Sequence, residues 1–192
     1  MINTLTKAVI FTRGAAAGDL AGTLAILLPC APRGKVLESP AVIDGDGAVV
    51  SPDVWRDETD DEVCARVAAR DLPADALDPR IVDIADLPTD RTFRNAWRDH
   101  DRAAEPVSLG LVAVDMIAAR EVQRDRIRAA RAPKLEELDV AYIRADESGR
   151  ASEKAAITAR KQALRDATAD PAIEAAKTPA ALAMVWPAAL ND

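Results

Sequence analysis

The residues with the widest chemical repertoire in this chain are one histidine, His100, and two cysteines, Cys30 and Cys64. Three such side chains cannot complete a four-ligand zinc site of the Cys and His type. Acid–base or nucleophilic chemistry needs a polarised pair held in a pocket. His100 instead lies in Arg98-Asp99-His100-Asp101-Arg102, a charged stretch that reads as solvated surface. No Ser or Cys has the flanking glycines of a nucleophile elbow, and no glycine-rich phosphate loop occurs. Asp44-Gly45-Asp46-Gly47 has acids at calcium-loop spacing but lacks the closing glutamate of an EF-hand, so it reads as a hairpin turn. The expectation is a non-enzymatic protein with no catalytic residues, cofactor, metal or small-molecule substrate; a disulfide between Cys30 and Cys64 stays open.

What remains is recognition chemistry. Phe93 and Trp97 lie four residues apart, a spacing that puts both rings on one face of a helical turn. They alternate with Arg91, Arg94 and Arg98 as nucleic-acid stacking strips do. Yet Asp90 and Asp99 flank them, and residues 51–99 carry seven basic against thirteen acidic groups. The two rings are therefore expected to close the core of a small domain. A formal charge of −7 and a pI near 4.9 disfavour a surface devoted to nucleic acid or anionic membrane. Trp186, near the end of the chain, has two readings: it folds back onto the preceding helices, or it anchors a protein partner, a role in which tryptophan is enriched.

These residues need elements to hold them. Of the 192 residues, 41 are alanine and only six are aromatic, which favours close-packed helices over a bulky core. The first hundred residues read as α+β. Residues 7–12, 42–43, 48–50 and 81–84 are strand candidates. Thr59 followed by Glu62 is a capping box for a helix that Leu72-Pro73 ends. The apolar run Leu20–Leu28 is nine residues, against roughly 20 for a bilayer span. Lys7 and Arg13 before it and Pro29-Cys30 after it raise a lipoprotein signal, but Asp19 and Pro29 fit one poorly. The run reads as a buried strand or short helix, with no membrane partner.

From about residue 107 the pattern changes. Val107–Val114 is strand-like, Asp115 offers an N-cap, and a charged helical segment continues to Ser148-Gly149, with a kink or break expected at Pro133. At about 1.5 Å per residue it reaches roughly 50 Å, too long for so small a domain to cover. Residues 120–134 are net +4, residues 135–147 net −4 and residues 150–165 net +4. Folding back at Gly149 lays a basic helix along an acidic one. Leu135, Leu138 and Tyr142 face Ile157 and Leu164 across small alanines. Asp170-Pro171 and Thr178-Pro179 start two short helices. The expected architecture is α+β: a small α+β domain over residues 1–106, then a long charged α-helical hairpin with short C-terminal helices over residues 107–192.

Several strings in the chain resemble small proteins of tailed bacteriophages and prophages of high-GC bacteria. They are Asp86-Leu87-Pro88-Thr89-Asp90-Arg91-Thr92-Phe93-Arg94-Asn95-Ala96-Trp97, Val114-Asp115-Met116, Arg131-Ala132-Pro133-Lys134-Leu135, Leu138-Asp139-Val140, Arg160 to Asp166, and the Thr-Pro and Val-Trp-Pro ending. The likeness spans roughly residues 58–190. It implies a non-catalytic structural component of the particle, tail- or fibre-associated, made in the bacterial host cytoplasm and located in the virion. Its partners would be other virion proteins or copies of itself. The candidate contact residues are Trp186, Leu135, Leu138, Tyr142, Phe93 and Trp97. A tail or tail-fibre assembly chaperone absent from the finished particle is the nearer alternative. A nucleic-acid-binding regulator using Arg120–Arg131 is the alternative of another class, disfavoured by Glu121, Asp125 and the matching acidic arm.

Overall fold

The computed structural model describes residues 5–191 and contains both strands and a long helix, an α+β chain. It divides into two compact units, residues 1–88 and 89–192.

The first unit is built on strand β1 (Lys7–Arg13), which pairs antiparallel with β2 (Leu24–Leu27) on one side and β7 (Ala76–Asp83) on the other. As the central strand, β1 buries Ala8, Val9, Ile10, Phe11 and Thr12 in succession. Helix α1 (Asp60–Asp71) packs on this sheet, and its Val63 and Val67 form a core cluster with Leu5. The capping box forms: the Thr59 hydroxyl accepts from the Glu62 N–H, and the Glu62 carboxylate accepts from the Thr59 N–H at 2.8 Å. Gly14 donates its N–H to the Asp75 carbonyl at 2.8 Å, and a Cβ at Gly14 would stand 2.7 Å from that oxygen. Glycine is the residue that lets the two backbones approach so closely.

Between β2 and α1 the chain runs out and back as a two-stranded ribbon. β3 (Lys35–Ser39) pairs with β6 (Val54–Asp57), and β4 (Val42–Ile43) pairs with β5 (Val49–Ser51). The tip is the turn predicted at Asp44–Gly47, where the Asp44 carboxylate accepts from the N–H groups of Asp46 and Ala48. That carboxylate is occupied in fixing its own turn, which is the hairpin role.

The second unit opens with a 3-10 turn at Arg94–Ala96 and a small sheet of β8 (Trp97–Arg98), β9 (Pro106–Ser108) and β10 (Ala113–Asp115), with β10 in the middle. Helix α2 (Met116–Glu147) follows, capped by Asp115, whose carboxylate accepts from the Ile117 N–H at 3.0 Å. It runs as one helix of 32 residues through Pro133. It ends in a Schellman motif: Gly149, at φ 67, donates to the Asp146 carbonyl and Arg150 donates to that of Ala145. Then come α3 (Ala151–Asp166), α4 (Pro171–Ala175) and α5 (Pro179–Ala183). Asp170 and Thr178 cap the last two, each with proline at the first position.

Four expectations change. The packing boundary falls at 88/89 and not at 106/107, because Phe93, Ala96 and Trp97 are buried in the second unit, whose 3-10 turn packs on β10 and α2. Phe93 and Trp97 therefore close a core, but that of the second unit, and from a 3-10 turn and a strand where a helical turn was expected. The 107–114 run is a β-hairpin and not one strand, since Gly110 at φ 85 turns it and Leu109 bonds Val112. The Leu20–Leu28 run buries only part of itself: Leu24 is enclosed in the edge strand β2, while Leu20 and Leu28 are exposed.

Candidate interaction surface

The described residues present fifteen exposed large apolar side chains, and seven of them lie on the ribbon: Leu37, Val42, Ile43, Val49, Val50, Val54 and Trp55, at 41 to 65% exposure. Cross-strand register puts Leu37 opposite Trp55 and Ile43 opposite Val49, so apolar pairs stand side by side along the ladders. Scattered single apolar residues on a surface are ordinary, whereas a contiguous group is the signature of a contact surface. An isolated two-stranded hairpin is at best marginally stable in water. Something must hold this one in shape.

Its root supplies that. Arg56, on β6, makes two 2.7 Å bonds to the Glu62 carboxylate, which also closes the capping box of α1. Those donors pull the Glu62 carboxyl down to about 2. Glu58 is enclosed between Arg66 and the Gly34 N–H, which donates at 2.6 Å, and both hold its carboxyl below the ordinary range. Arg66 also donates to the Pro32 carbonyl and Arg33 to that of Glu58. Asp60 takes the Thr6 hydroxyl and N–H, joined by Arg33, and titrates lower for the same reason. Both ends of the ribbon are thus bolted to the N-terminus of α1 by bidentate and charge-assisted bonds, the strong kind. The shaft beyond is apolar and uncovered.

The residues expected from sequence to make contacts lie in the second unit. Leu135, Leu138 and Tyr142 are half-buried on α2. Tyr142 sits under Lys154 and Lys161 of α3, with the ammonium groups 5.1 and 5.3 Å from the ring centroid. The same lysines pair with Asp146 and Asp139 of α2, and Arg131 donates to the carbonyls of Leu164 and Arg165. Trp186 is 41% exposed beside Met184 at 82%, while the neighbouring Val185 carbonyl is held by the buried Gln123 amide at 2.7 Å. Phe93 and Trp97 are enclosed and offer no surface. Sequence reasoning identified the strands and turn of residues 42–50, but not that 37–55 stay uncovered; the proline, serine and aspartate between the apolar pairs were the available signal.

The arginines of 120–131 are engaged inside the chain. Arg120, buried, bonds Glu105 and the Ala176 carbonyl, and its Nε lies 3.6 Å from Glu174. Arg124 pairs with Glu121 and Glu174, and Arg128 with Glu121 and Asp125. Arg126 bonds Gln123. Glu121 titrates below its ordinary value because Arg128 and Arg124 donate to it. His100 Nε2 lies 3.0 Å from the Gly110 carbonyl. Cys30 is an exposed thiol and Cys64 a buried one, not joined to each other. Among the described residues no group of three His, Cys, Asp or Glu could hold a metal ion, and no helix is long and apolar enough to cross a membrane.

Comparison of the chain with protein-family models, with curated proteins and with solved structures found no match.

Proposed function

We propose that the chain is a non-catalytic assembly protein, a structural component of a tailed bacteriophage particle, tail- or fibre-associated, that works through contacts with other virion proteins or copies of itself. The observation that supports the assembly reading is the ribbon. Its seven exposed apolar side chains fall within residues 37–55, on a shaft whose root is held by paired charges. The phage setting is supported by the residue strings around Arg91–Trp97 and along α2 and α3. In this reading α2 and α3 act as one antiparallel helical hairpin whose charges set its register and whose own apolar stripe is spent internally. The internal pairing of Arg120, Arg124 and Arg128 favours assembly over nucleic-acid binding, because a phosphate would have to displace carboxylates already in place.

Mass spectrometry of purified virions, set against the lysate they came from, tests the reading. The expected result is the chain in the particle at a fixed ratio to other virion proteins. Presence in the lysate and absence from the particle would replace it with the assembly-chaperone role.

A further inference from the structure

We propose that the tip of the ribbon carries a self-modification site: Asp46 isomerises through the Gly47 nitrogen to isoaspartate, while Asp44, the other aspartate followed by glycine, is held back by its own hydrogen bonds. The inference stands apart from the assembly reading and does not rest on it.

The chemistry belongs to the residue pair. A protonated aspartyl carboxyl is open to attack by the amide nitrogen of the next residue. That nitrogen loses its proton as it bonds to Cγ, the carboxyl hydroxyl leaves as water, and a five-membered succinimide closes. Water then opens the ring at one of its two carbonyls. Opening at Cγ restores aspartate. Opening at the α-carbonyl breaks the old peptide bond and leaves the chain running through Cβ and Cγ, with a free α-carboxylate beside it. The water lost is regained, nothing is oxidised or reduced, and the mass is unchanged. Glycine favours the ring, because it has no side chain to crowd it and more backbone freedom than any other residue. The sequence has two Asp-Gly pairs, 44–45 and 46–47, and both lie in the exposed turn between β4 and β5. Space is open there: a Cβ built on Gly45 or Gly47 would meet no atom within 4 Å.

The structure separates the two pairs. One oxygen of the Asp44 carboxylate accepts from the Asp46 N–H at 3.0 Å and from the Ala48 N–H at 2.8 Å. Turning that carboxyl toward the Gly45 nitrogen breaks both bonds, and with them the turn. The Asp46 carboxyl takes no hydrogen bond or ion pair among the described residues and rotates freely. Its reaction has to break one bond, from the Gly47 N–H to the Asp44 carbonyl at 3.1 Å. Bonds to an ionised carboxylate are roughly twice as strong as neutral ones. Two of them against one neutral bond should slow Asp44 about tenfold or more relative to Asp46. The tip of a two-stranded ribbon also opens readily, which frees the Gly47 nitrogen. The product inserts one methylene into the backbone of the turn, beside the facing pair Ile43 and Val49.

The test is to keep the full chain at physiological temperature and pH for several weeks and map it with trypsin, which releases residues 36–56 as one peptide. The expected result is a second form of that peptide with the same mass and a different retention, with fragmentation placing isoaspartate at 46 and about tenfold less at 44. The aged chain should also accept methyl groups from S-adenosylmethionine through an isoaspartyl O-methyltransferase, and the fresh chain should not. Asp46→Glu, which would need a six-membered ring, should remove most of the second form. The same incubation in denaturant should bring the two pairs to similar rates, because the bonds on Asp44 are then gone. Equal reaction of both pairs in the folded chain, a preference for Asp44, the same preference for Asp46 with and without denaturant, or no isoaspartate in the folded chain overturns the inference.

Discussion

Glu62 does two jobs with one carboxylate, capping α1 and holding Arg56 of the ribbon, and its folded-state pKa of about 2 records both. A carboxyl held below its unfolded value near 4.5 contributes stability that is complete above that value and lost as pH falls through the folded one. Glu58 and Asp60 shift in the same direction, by Arg66 and by Thr6. Stability of the first unit should therefore be flat down to about pH 5 and decline from there toward pH 2. Circular-dichroism melts across that range check it; Glu62→Gln should flatten the decline, and an unchanged slope would show that the root does not couple to folding. Arg120 poses a different question. Removing one partner of a fully buried ion pair costs about 3–5 kcal/mol, but Glu105 and Glu174 are more than half exposed and would regain water. Arg120→Ala should cost only about 1–2 kcal/mol, chiefly the Ala176 carbonyl and lost stem packing, and Arg120→Met less, by denaturant unfolding.

Two elements depend on backbone and register. Gly149 holds the Schellman motif that turns the chain from α2 to α3, and its positive φ makes Gly149→Ala cost about 1 kcal/mol. The charges between these helices act through particular pairs. Lys154 and Lys161 carry both the ion pairs with Asp146 and Asp139 and the contact with the Tyr142 ring. Exposed pairs contribute about 0.2–1 kcal/mol each, so Lys154→Glu with Lys161→Glu should lower the melting temperature by a few degrees and most at low salt. Arg160→Glu should do less, since the ion pairs between α3 and α2 found among the described residues are those of Lys154 and Lys161. Equal losses from both changes would mean that net charge, not pairing, sets the register. Leu164, fully buried, measures the apolar share: Leu164→Ala should cost about 2–5 kcal/mol.

For the whole molecule, the acidic balance and the internal pairing of the α2 arginines lead to one expectation about partners. Affinity for duplex DNA at physiological salt should be no better than the non-specific range of about 10⁻⁴ to 10⁻⁶ M. A sequence-dependent nanomolar complex in a titration would reverse the order of the readings. The apolar surface then lies in one unit and the long helix in the other. Helix α2 packs against α3, α4, α5 and the 3-10 turn at Arg94–Ala96. One side of this 32-residue helix thus has neighbours along it, while Ile117, Val140 and Ile143 stay exposed.

Local signals were legible in the sequence wherever one or two residues decide the backbone. Thr59 with Glu62, Asp115, Gly149, Asp170-Pro171 and Thr178-Pro179 mark helix ends by hydrogen bonds and allowed φ alone, and Asp44–Gly47 marks a turn the same way. The alternation of net charge along residues 120–165 likewise pointed to the helices that meet, though not to Lys154 and Lys161 as the residues that meet. Burial was another matter, because it depends on what arrives from far along the chain. Phe93 and Trp97 look the same in sequence whichever unit encloses them, and only β10 and the start of α2 decided it. The strands of 37–55 carry enough valine, isoleucine and tryptophan for a core, yet among the described residues those side chains stay exposed. Composition sets how much apolar surface a chain has; the tertiary structure decides how much of it is left for a partner.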